Sequence, residues 1–313
     1  MWRLNLLLIA QRNILLYPLP INIRIVSEPS EKRQQYIAVL LPKPENVCEG
    51  FRNTIRAWKW RKPVDPLIAQ GKDLIDKADK ILVFSGAGLS TESGIPDFRS
   101  PGGLWSKYDP SDFYYDKIIS DENARVRYWK MSTESYRVIR DALPNPAHMA
   151  IKALEDRGKL GAIVTQNIDH LHHKAGNSPD KIIEIHGTVY SVSCLNCGKT
   201  YNRDDIEERI TSGVKTPYCD ECSGILKPDT VSFGQAMPTD KMARAIIHAK
   251  ECDLCITLGS SLVVYPAASI PVYAVENGAA LLIINRDPTP LDSKADVVIH
   301  QSVTKALKEM VRL

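Results

Sequence analysis

The 313-residue chain lacks any uninterrupted apolar run of the ~20 residues that a helix needs to cross a bilayer. It also lacks a strong excess of either charge, because 40 Lys and Arg residues against 37 Asp and Glu residues leave a net charge of +3. Proteins that bind nucleic acid through its phosphates usually carry a concentrated basic excess. The sequence therefore predicts neither a membrane protein nor a direct nucleic-acid binder.

A disulfide framework is also not expected, since the cysteine count of seven is odd and no clear secretion signal precedes the cysteines. We therefore expect a reducing compartment, namely the cytoplasm. Residues 1–26 contain three arginines and no acid, which resembles an organelle transit peptide. The alternatives are a non-essential extension or a translation start assigned too far upstream. Residues 1–62 have no sustained periodicity, so we expect an N-terminal extension there and a folded domain over 63–313.

From Pro66 onward, short apolar segments alternate with helical patterns. This alternation predicts an α/β fold with a Rossmann-like parallel sheet covered by helices on both faces. Two segments interrupt it, and we expect them to build a smaller lobe: a helical insertion at 105–142 and a zinc-binding insertion at 190–228. The strand candidates are 81–88, 161–166, 181–187, 229–234, 254–260, 280–285 and 296–300. The later helical patterns cover 145–158, 240–251, 266–277 and 303–312.

Four cysteines have the spacing of a zinc-ribbon site. Cys194 and Cys197 form one Cys-x-x-Cys pair, and Cys219 and Cys222 form another after an interval of twenty-one residues. Four thiolates complete a tetrahedral shell and leave no open position, so we predict one structural Zn²⁺ per chain. The third pair, at 252–255, leads into an apolar strand candidate and is expected to belong to the core.

The segment after the first strand candidate combines glycines with an unusual set of side chains. Gly86-Ala87-Gly88 would let backbone N–H groups approach a pyrophosphate at a helix N-terminus. Gly94 lies too far along for the dinucleotide fingerprint, which disfavours a hydride-transferring dehydrogenase. The segment 95–99 then supplies an apolar residue, a proline turn, an acid, an aromatic ring and a guanidinium, which together suit a flat ring and a phosphate.

Polar residues also follow later strand candidates. Asn167 and Asp169 come after the strand candidate 161–166, at the end where open α/β sheets bind ligands. Asn167 can position a water or a ribose hydroxyl, and Asp169 can bind a ribose hydroxyl or a carboxamide. His186 ends another strand candidate and is a natural general base at neutral pH. The histidines expected to be structural are His170, His172, His173 and His248.

These motifs occur in one order that resembles the sirtuins, which are NAD-dependent protein-lysine deacylases. The later members of the series are Thr165-Gln-Asn-Ile-Asp169, His186-Gly187, the four cysteines, Lys227-Pro-Asp-Thr-Val-Ser-Phe-Gly234 and Gly259-Ser-Ser261. The resemblance covers residues 66–313 and rests on several independent motifs. It implies a catalytic domain over 63–313 that uses NAD as co-substrate to deacylate protein lysines and releases nicotinamide and O-acyl-ADP-ribose.

The resemblance also implies roles for individual residues. The catalytic residues would be His186, Asn167 and Asp169. The nicotinamide would contact Ala87, Ile95, Asp97 and Phe98, with Arg99 steadying the cofactor. The adenosine half would contact Gly259, Ser260, Ser261, Asn285 and Arg286, with Val303 near the adenine. The remaining members of the implied NAD site are Gly86, Gly88, Gln166 and Ile168.

Two segments are candidates for binding an extended acyl-lysine peptide between them as an added strand. They contribute Val231, Phe233 and Gly234 on one side and Leu262 and Val263 on the other, and the alternative is that both are plain core strands. The segment 105–142 lacks the Tyr-x-x-Arg pair of the sirtuin branch that prefers acidic acyl groups. We therefore expect an acetyl or another uncharged acyl group.

Three other functions remain open at this point. A protein mono-ADP-ribosyltransferase would use the same pocket but transfer the ribose to a protein nucleophile. An NAD sensor would bind without turnover, which His186 disfavours. A zinc-ribbon nucleic-acid binder is disfavoured by the small net charge and by the mixed charge of residues 203–209 between the cysteine pairs.

Overall fold

The computed structural model describes residues 65–98 and 101–311. The extension predicted for 1–62 and the proposed cofactor residue Arg99 lie outside these ranges. The strands are β1 Ile81–Ser85, β2 Leu160–Thr165, β3 Ile182–Glu184, β4 Gly187–Cys194, β5 Thr200–Asn202, β6 Leu226–Thr230, β7 Leu254–Leu258, β8 Ala280–Ile284 and β9 Val297–Ile299. The α-helices are α1 Pro66–Lys77, α2 Tyr115–Ser120, α3 Glu122–Asp141, α4 Pro146–Asp156, α5 Leu171–Lys174, α6 Arg203–Thr211, α7 Thr239–Glu251, α8 Ser269–Glu276 and α9 Val303–Met310. Among the described helices, none has both the length and the apolarity that a bilayer crossing needs.

Six strands form one sheet in the order β3-β2-β1-β7-β8-β9, and every neighbouring pair is parallel. The predicted Rossmann-like α/β fold is confirmed. The strand order reverses at β1, which has β2 on one side and β7 on the other. In open α/β sheets, the crevice beyond the strand ends at such a reversal is the usual ligand site.

Apolar residues cover both faces of this sheet. Along β1, Ile81 and Val83 pack in a core cluster with α1, α4 and α9, whereas Leu82 and Phe84 pack in a second cluster with α7 and α8. Side chains alternate between the faces of a strand, so burial on both sides requires a continuous apolar run. This requirement explains why β1, β7 and β8 were evident in the sequence.

A second sheet has the order β5-β4-β6 and is antiparallel. Its core also contains aromatic residues from the predicted helical insertion: Phe113 precedes α2, and Tyr128 and Trp129 lie in α3. The predicted helical and zinc-binding insertions therefore share one small core. The strand prediction 229–234 was wrong in its extent, because β6 covers Leu226–Thr230.

The predicted strand 181–187 is divided between the two sheets. β3 ends at Glu184 in the parallel sheet, and β4 begins at Gly187 in the antiparallel sheet. Gly187 has φ +75°, and a Cβ at this position would lie 1.8 Å from the Asp229 carbonyl oxygen. Only glycine allows both the left-handed backbone and this close approach. His186 thus lies at the corner where the chain passes from the large sheet into the small lobe.

Candidate active site

Five loops meet at the carboxyl edge of the parallel sheet. Gly86 follows β1, residues 166–169 follow β2, His186 follows β3, Gly259 follows β7 and Asn285 follows β8. Parallel strands all place their carboxyl ends at the same edge, so residues that are up to 199 positions apart lie on one side of the sheet. The structure therefore brings most of the predicted site residues together.

Gly86 and Gly88 pack directly against Gly259. The N–H of Gly86 donates to the Leu258 carbonyl and the N–H of Gly88 donates to the Gly259 carbonyl, each at 2.9 Å. A Cβ on any of the three glycines would come within 2.3–2.8 Å of the opposing backbone. These two N–H groups already have acceptors within the protein, so the approach of this loop to a pyrophosphate stays a prediction that would use other backbone groups. The glycines allow the loops after β1 and β7 to touch.

Ser90, which follows the glycine turn after β1, joins Asn167 to Asp169. Its hydroxyl donates to Asp169 Oδ2 at 2.7 Å and accepts from Asn167 Nδ2 at 3.1 Å. Asn167 Nδ2 also donates to the Gly86 carbonyl at 3.2 Å, so the amide oxygen is the side-chain atom left to accept from a ligand. This network fixes the loop after β2 against the loop after β1.

Asp169 is 4% exposed. Burial raises the pKa of its carboxyl group, while the hydrogen bonds from the Leu171 N–H and the Ser90 hydroxyl act in the opposite direction. Both carboxylate oxygens therefore already accept one hydrogen bond from the protein. Each oxygen has a further lone pair for a ligand, and the side chain is held in one orientation.

His186 has a defined tautomer. Its Nδ1 lies 3.0 Å from the Gln166 carbonyl oxygen, which can only accept, so Nδ1 carries the proton. Nε2 is then the unprotonated nitrogen that can take up a proton. Burial lowers the pKa of the imidazole, and the bond to Gln166 partly opposes this shift. The ring is therefore neutral at neutral pH, as a general base must be.

The adenosine-side candidates are held by neighbouring loops. Ser260 Oγ accepts a hydrogen bond from Gln166 Nε2 at 2.9 Å, and Ser261 follows it in the same loop. Asn285 Nδ2 donates to the Asp287 carbonyl at 2.8 Å, and Arg286 is exposed. Val303 differs, because its side chain is 6% exposed and belongs to the core beneath the sheet.

The nicotinamide-side candidates lie along the segment that follows β1. Ala87 is half-buried in the turn, and Ile95 and Ile168 pack together against a small cluster around Tyr136. Asp97 is half-buried, whereas Phe98 is 41% exposed and rests on Trp105, with ring centroids 5.4 Å apart. Arg99, the last of this group, is outside the described residues.

The residues predicted to bind the peptide differ in how far their side chains are exposed. Phe233 and Val263 are 39% and 49% exposed, and the Phe233 carbonyl accepts from the Tyr115 N–H at 2.8 Å. Val231 is half-buried and Gly234 turns the chain with φ +77°. Leu262 was expected to line the groove, but its side chain is 2% exposed within the core of the large sheet.

The four predicted zinc ligands lie together, and no two of their sulfur atoms are more than 4.8 Å apart. The Cys194–Cys222 and Cys197–Cys219 sulfur distances are 3.5 and 3.7 Å. A tetrahedron with Zn–S bonds of ~2.3 Å has edges of about 3.8 Å, so these spacings fit zinc. A Cβ on Gly224 would lie 2.8 Å from Cys194 Sγ, so glycine is required beside the cluster.

Comparison with known proteins identifies the family. The sequence model of the Sir2 family matches residues 86–266. The chain belongs to the Sir2 family. An NAD-dependent protein deacetylase of Rhodopseudomonas palustris is 44% identical over 244 residues, which cover 78% of this chain and 96% of the relative. A similarly named protein of Thermotoga maritima is 37% identical over 76% of this chain and 95% of its own length.

Solved Sir2 structures have the same fold. One that contains a p53 peptide and NAD⁺ is 35% identical with a TM-score of 0.71, and the match covers 77% of this chain and 95% of that chain. Another, with a deacetylated p53 peptide and 3′-O-acetyl ADP ribose, is 36% identical with a TM-score of 0.72, covering 77% and 96%. The match spans the parallel sheet and the zinc lobe of this Sir2 family member, so the resemblance noted from its motifs is confirmed.

Asn145 was not predicted from the sequence, although its side chain holds the segment after β1 in this Sir2 site. Asn145 caps α4 by accepting from the Ala147 N–H at 2.9 Å. Its side-chain nitrogen donates to the Leu89 carbonyl at 2.8 Å and to the Ser93 hydroxyl at 3.1 Å. The Asn-Pro pair at 145–146 is a helix-start signal, but nothing in the sequence indicates that the cap also holds the loop after β1.

Proposed function

We propose that this chain removes acetyl or other uncharged acyl groups from protein lysines, consuming NAD and releasing nicotinamide and O-acyl-ADP-ribose. The observation that carries the proposal is the convergence of His186, Asn167 and Asp169 at one edge of the sheet, with a neutral imidazole of defined tautomer. Of two similar Sir2 structures, one contains a p53 peptide and NAD⁺, and the other contains a deacetylated p53 peptide and 3′-O-acetyl ADP ribose.

His186 is proposed as the general base. With Nδ1–H committed to the Gln166 carbonyl, Nε2 would accept the proton of a ribose hydroxyl; that oxygen would form a bond to the acyl carbon, whose bond to the lysine nitrogen breaks and releases the amine. The same hydrogen bond stabilises the imidazolium that results, because a carbonyl oxygen interacts more favourably with a charged donor. His186 lies between β3 of the large sheet and β4 of the small lobe, so it is next to both.

Asn167 and Asp169 are proposed to orient the co-substrate. Asn167 would accept through its amide oxygen from a water or a ribose hydroxyl, since its Nδ2 already binds Gly86 and Ser90. Asp169 would accept from a ribose hydroxyl or a carboxamide. The remaining proposed NAD contacts come from the loops after β1, β7 and β8. Four thiolates would hold a structural Zn²⁺ that takes no part in the chemistry.

The peptide would enter between the segment at Phe233 and the segment at Val263. Both residues expose apolar side chains. An extended peptide between two such edges gains main-chain hydrogen bonds, while pockets for alternate side chains set the preference. Exposed aromatic rings at Phe98 and Phe233 favour an uncharged acyl group over an acidic one.

The experiment is incubation with NAD and an acetyl-lysine peptide, followed by mass spectrometry of all products. We expect nicotinamide, free lysine peptide and O-acetyl-ADP-ribose, and a loss of ~10²–10⁴-fold in rate for His186→Ala. His248→Gln, in α7 and outside the proposed site, is the matched control and should retain the wild-type rate. An ADP-ribosylated protein without acylated ADP-ribose would support the mono-ADP-ribosyltransferase instead.

Location and domain limits are part of the same proposal. Six cysteines of the described residues form no disulfide, which suits a reducing compartment. We propose the cytoplasm, with organelle targeting by residues 1–62 as the alternative.

We also propose that 63–313 is the catalytic domain, with insertions at 105–142 and 190–228. Its proposed partners are acyl-lysine proteins, not nucleic acid or membranes. Imaging of the full chain and of a chain lacking residues 1–62 tests the location.

A further inference from the structure

Two histidines and a carboxylate form a cluster that the proposed reaction does not use. His170 Nε2 and His173 Nδ1 lie 3.3 and 3.9 Å from Glu184 Oε1. One ligand atom from each side chain lies within 4.8 Å of the other two. The side chains are 29%, 28% and 13% exposed, so solvent reaches the cluster while most of each group is covered. Both histidines had been expected to be structural.

Hydrogen bonding within the protein leaves one ligand atom of this cluster without a partner. His173 Nδ1 is buried and has no hydrogen-bond partner among the described residues, whereas buried polar atoms are normally paired. His170 Nε2 faces Thr188 Oγ1 at 3.0 Å as well as Glu184. A cation between the three side chains would give His173 Nδ1 a bond and would balance the carboxylate.

The backbone and the neighbouring rings hold the two imidazoles in place. His170 has φ +58°, a left-handed conformation in which histidine is several-fold enriched among non-glycine residues. Its ring stacks on Tyr190 with centroids 4.4 Å apart and planes at 17°, and the His173 ring lies 4.4 Å from it. Ligand bonds of ~2.0–2.1 Å in a tetrahedron give edges of about 3.4 Å, close to the distances from Glu184.

We propose that His170, His173 and Glu184 form a second metal site, which takes a borderline divalent transition ion such as Zn²⁺. Imidazole nitrogen suits this class of ion, and one carboxylate completes a three-ligand set. Unlike the four-thiolate site, this set leaves a coordination position open. His170 follows Asp169 directly and Glu184 lies two residues before His186, so a bound ion would link the two segments that carry the proposed catalytic residues.

The test uses the full chain with its four-cysteine site already loaded with zinc. The protein is dialysed against low-micromolar free Zn²⁺, and bound metal is measured by mass spectrometry. We expect two zinc ions per wild-type chain and one in His170→Gln, His173→Gln and Glu184→Gln. His300→Gln is the matched control: His300 also lies 3.3 Å from a carboxylate, that of Asp292, but belongs to no three-ligand cluster among the described residues, so two ions should remain.

Cobalt distinguishes the second site from the cysteines. Co²⁺ added to the zinc-loaded protein should give weak visible bands without the sulfur-to-metal charge-transfer absorption of a thiolate site, and His173→Gln should abolish them. The thermal midpoint should rise with added Zn²⁺ in wild type and not in that variant, because an ion that binds only the native state stabilises it. A wild-type chain that retains one zinc, variants that keep the second ion, or thiolate absorption would each overturn the proposal.

Discussion

The large parallel sheet and the small antiparallel lobe are stabilised by different means. The large sheet has an apolar cluster on each face, and the side chains of β1, β7 and β8 are almost completely buried. The small lobe has shorter strands, one aromatic cluster, a four-cysteine site and a fully buried arginine. Because a small lobe cannot bury enough apolar surface, it needs specific polar or metal interactions to fold.

Removing a zinc ligand should have the largest effect and should separate the two regions. In Cys194→Ser we expect the four-cysteine site to lose its zinc ion, and hydrogen-exchange protection to be lost in β4 and β6 but kept in β1 and β7. The reason is that ligand binding at a structural zinc site is itself the folding free energy of such a lobe. The matched control in the large sheet is Cys255→Ala, which removes a buried thiol of β7. This change should lower the free energy of unfolding by about 1 kcal/mol and leave zinc bound to the four cysteines. If β4 kept its hydrogen-exchange protection after the metal was lost, the small lobe would not depend on zinc for its folding.

The buried arginine of the small lobe should come next. Arg203 lies between the rings of Trp129 and Tyr136, at 5.1 and 4.8 Å, and donates to Ser132 Oγ at 2.9 Å and to Glu207 at 3.1 Å. In Arg203→Gln the buried Glu207 carboxylate keeps only the half-exposed Arg137, 3.4 Å away, as an ion-pair partner, so the free energy of unfolding should fall by about 3 kcal/mol.

The double variant Arg203→Met, Glu207→Leu is the control for that result, because it removes both charges at once. Replacing a buried pair with apolar groups of similar volume is often neutral or stabilising, so the double variant should recover most of the loss in chemical denaturation. If the double variant were as unstable as Arg203→Gln, the arginine would matter through its ring contacts more than through its charge.

The two regions were not equally predictable from the sequence. The large sheet follows from apolar runs that end in glycine or polar residues, a local signal. Arg203 lay in a segment that looked merely mixed in charge, and its burial depends on aromatic residues of α3 that lie far away in the chain. The side chains of Val303 and Leu262 were assigned to the ligand side but pack into the core, Val303 as the first residue of α9 and Leu262 in the loop after β7. The roles of Ser90 and Asn145 could not be predicted from the sequence, because they depend on which loops are in contact.

Acid should weaken the large region through buried histidines. His148, in α4, is fully buried, and burial lowers its pKa from 6.5 to about 4. The unfolded chain takes up a proton below pH 6.5 while the folded chain does not, so stability is present above 6.5 and is lost as pH falls towards 4. This group should contribute a loss of about 3 kcal/mol over that window.

His148→Gln removes this titration and keeps a side chain that can accept from the Asn145 N–H, as the imidazole does at 3.3 Å. Denaturation measured at several pH values should therefore show a smaller loss between 6.5 and 4 in the variant than in wild type. His172, whose pKa is also lowered well below its usual value by burial, accounts for part of the slope that remains. Parallel profiles for the two proteins would exclude His148 as the source.

The smallest effect is expected when one methylene group is removed from the core of each region. Ile283 of β8 and Ile206 of α6 are both fully buried, the first in the large sheet and the second in the small lobe. Each change to valine removes one methylene and should cost about 0.5–1.5 kcal/mol in zinc-loaded protein. Equal costs would mean that apolar packing is equally effective in both regions, so that the small lobe differs only in having less of it. A several-fold larger cost at Ile206 would mean that packing, not the metal, limits the stability of the small lobe.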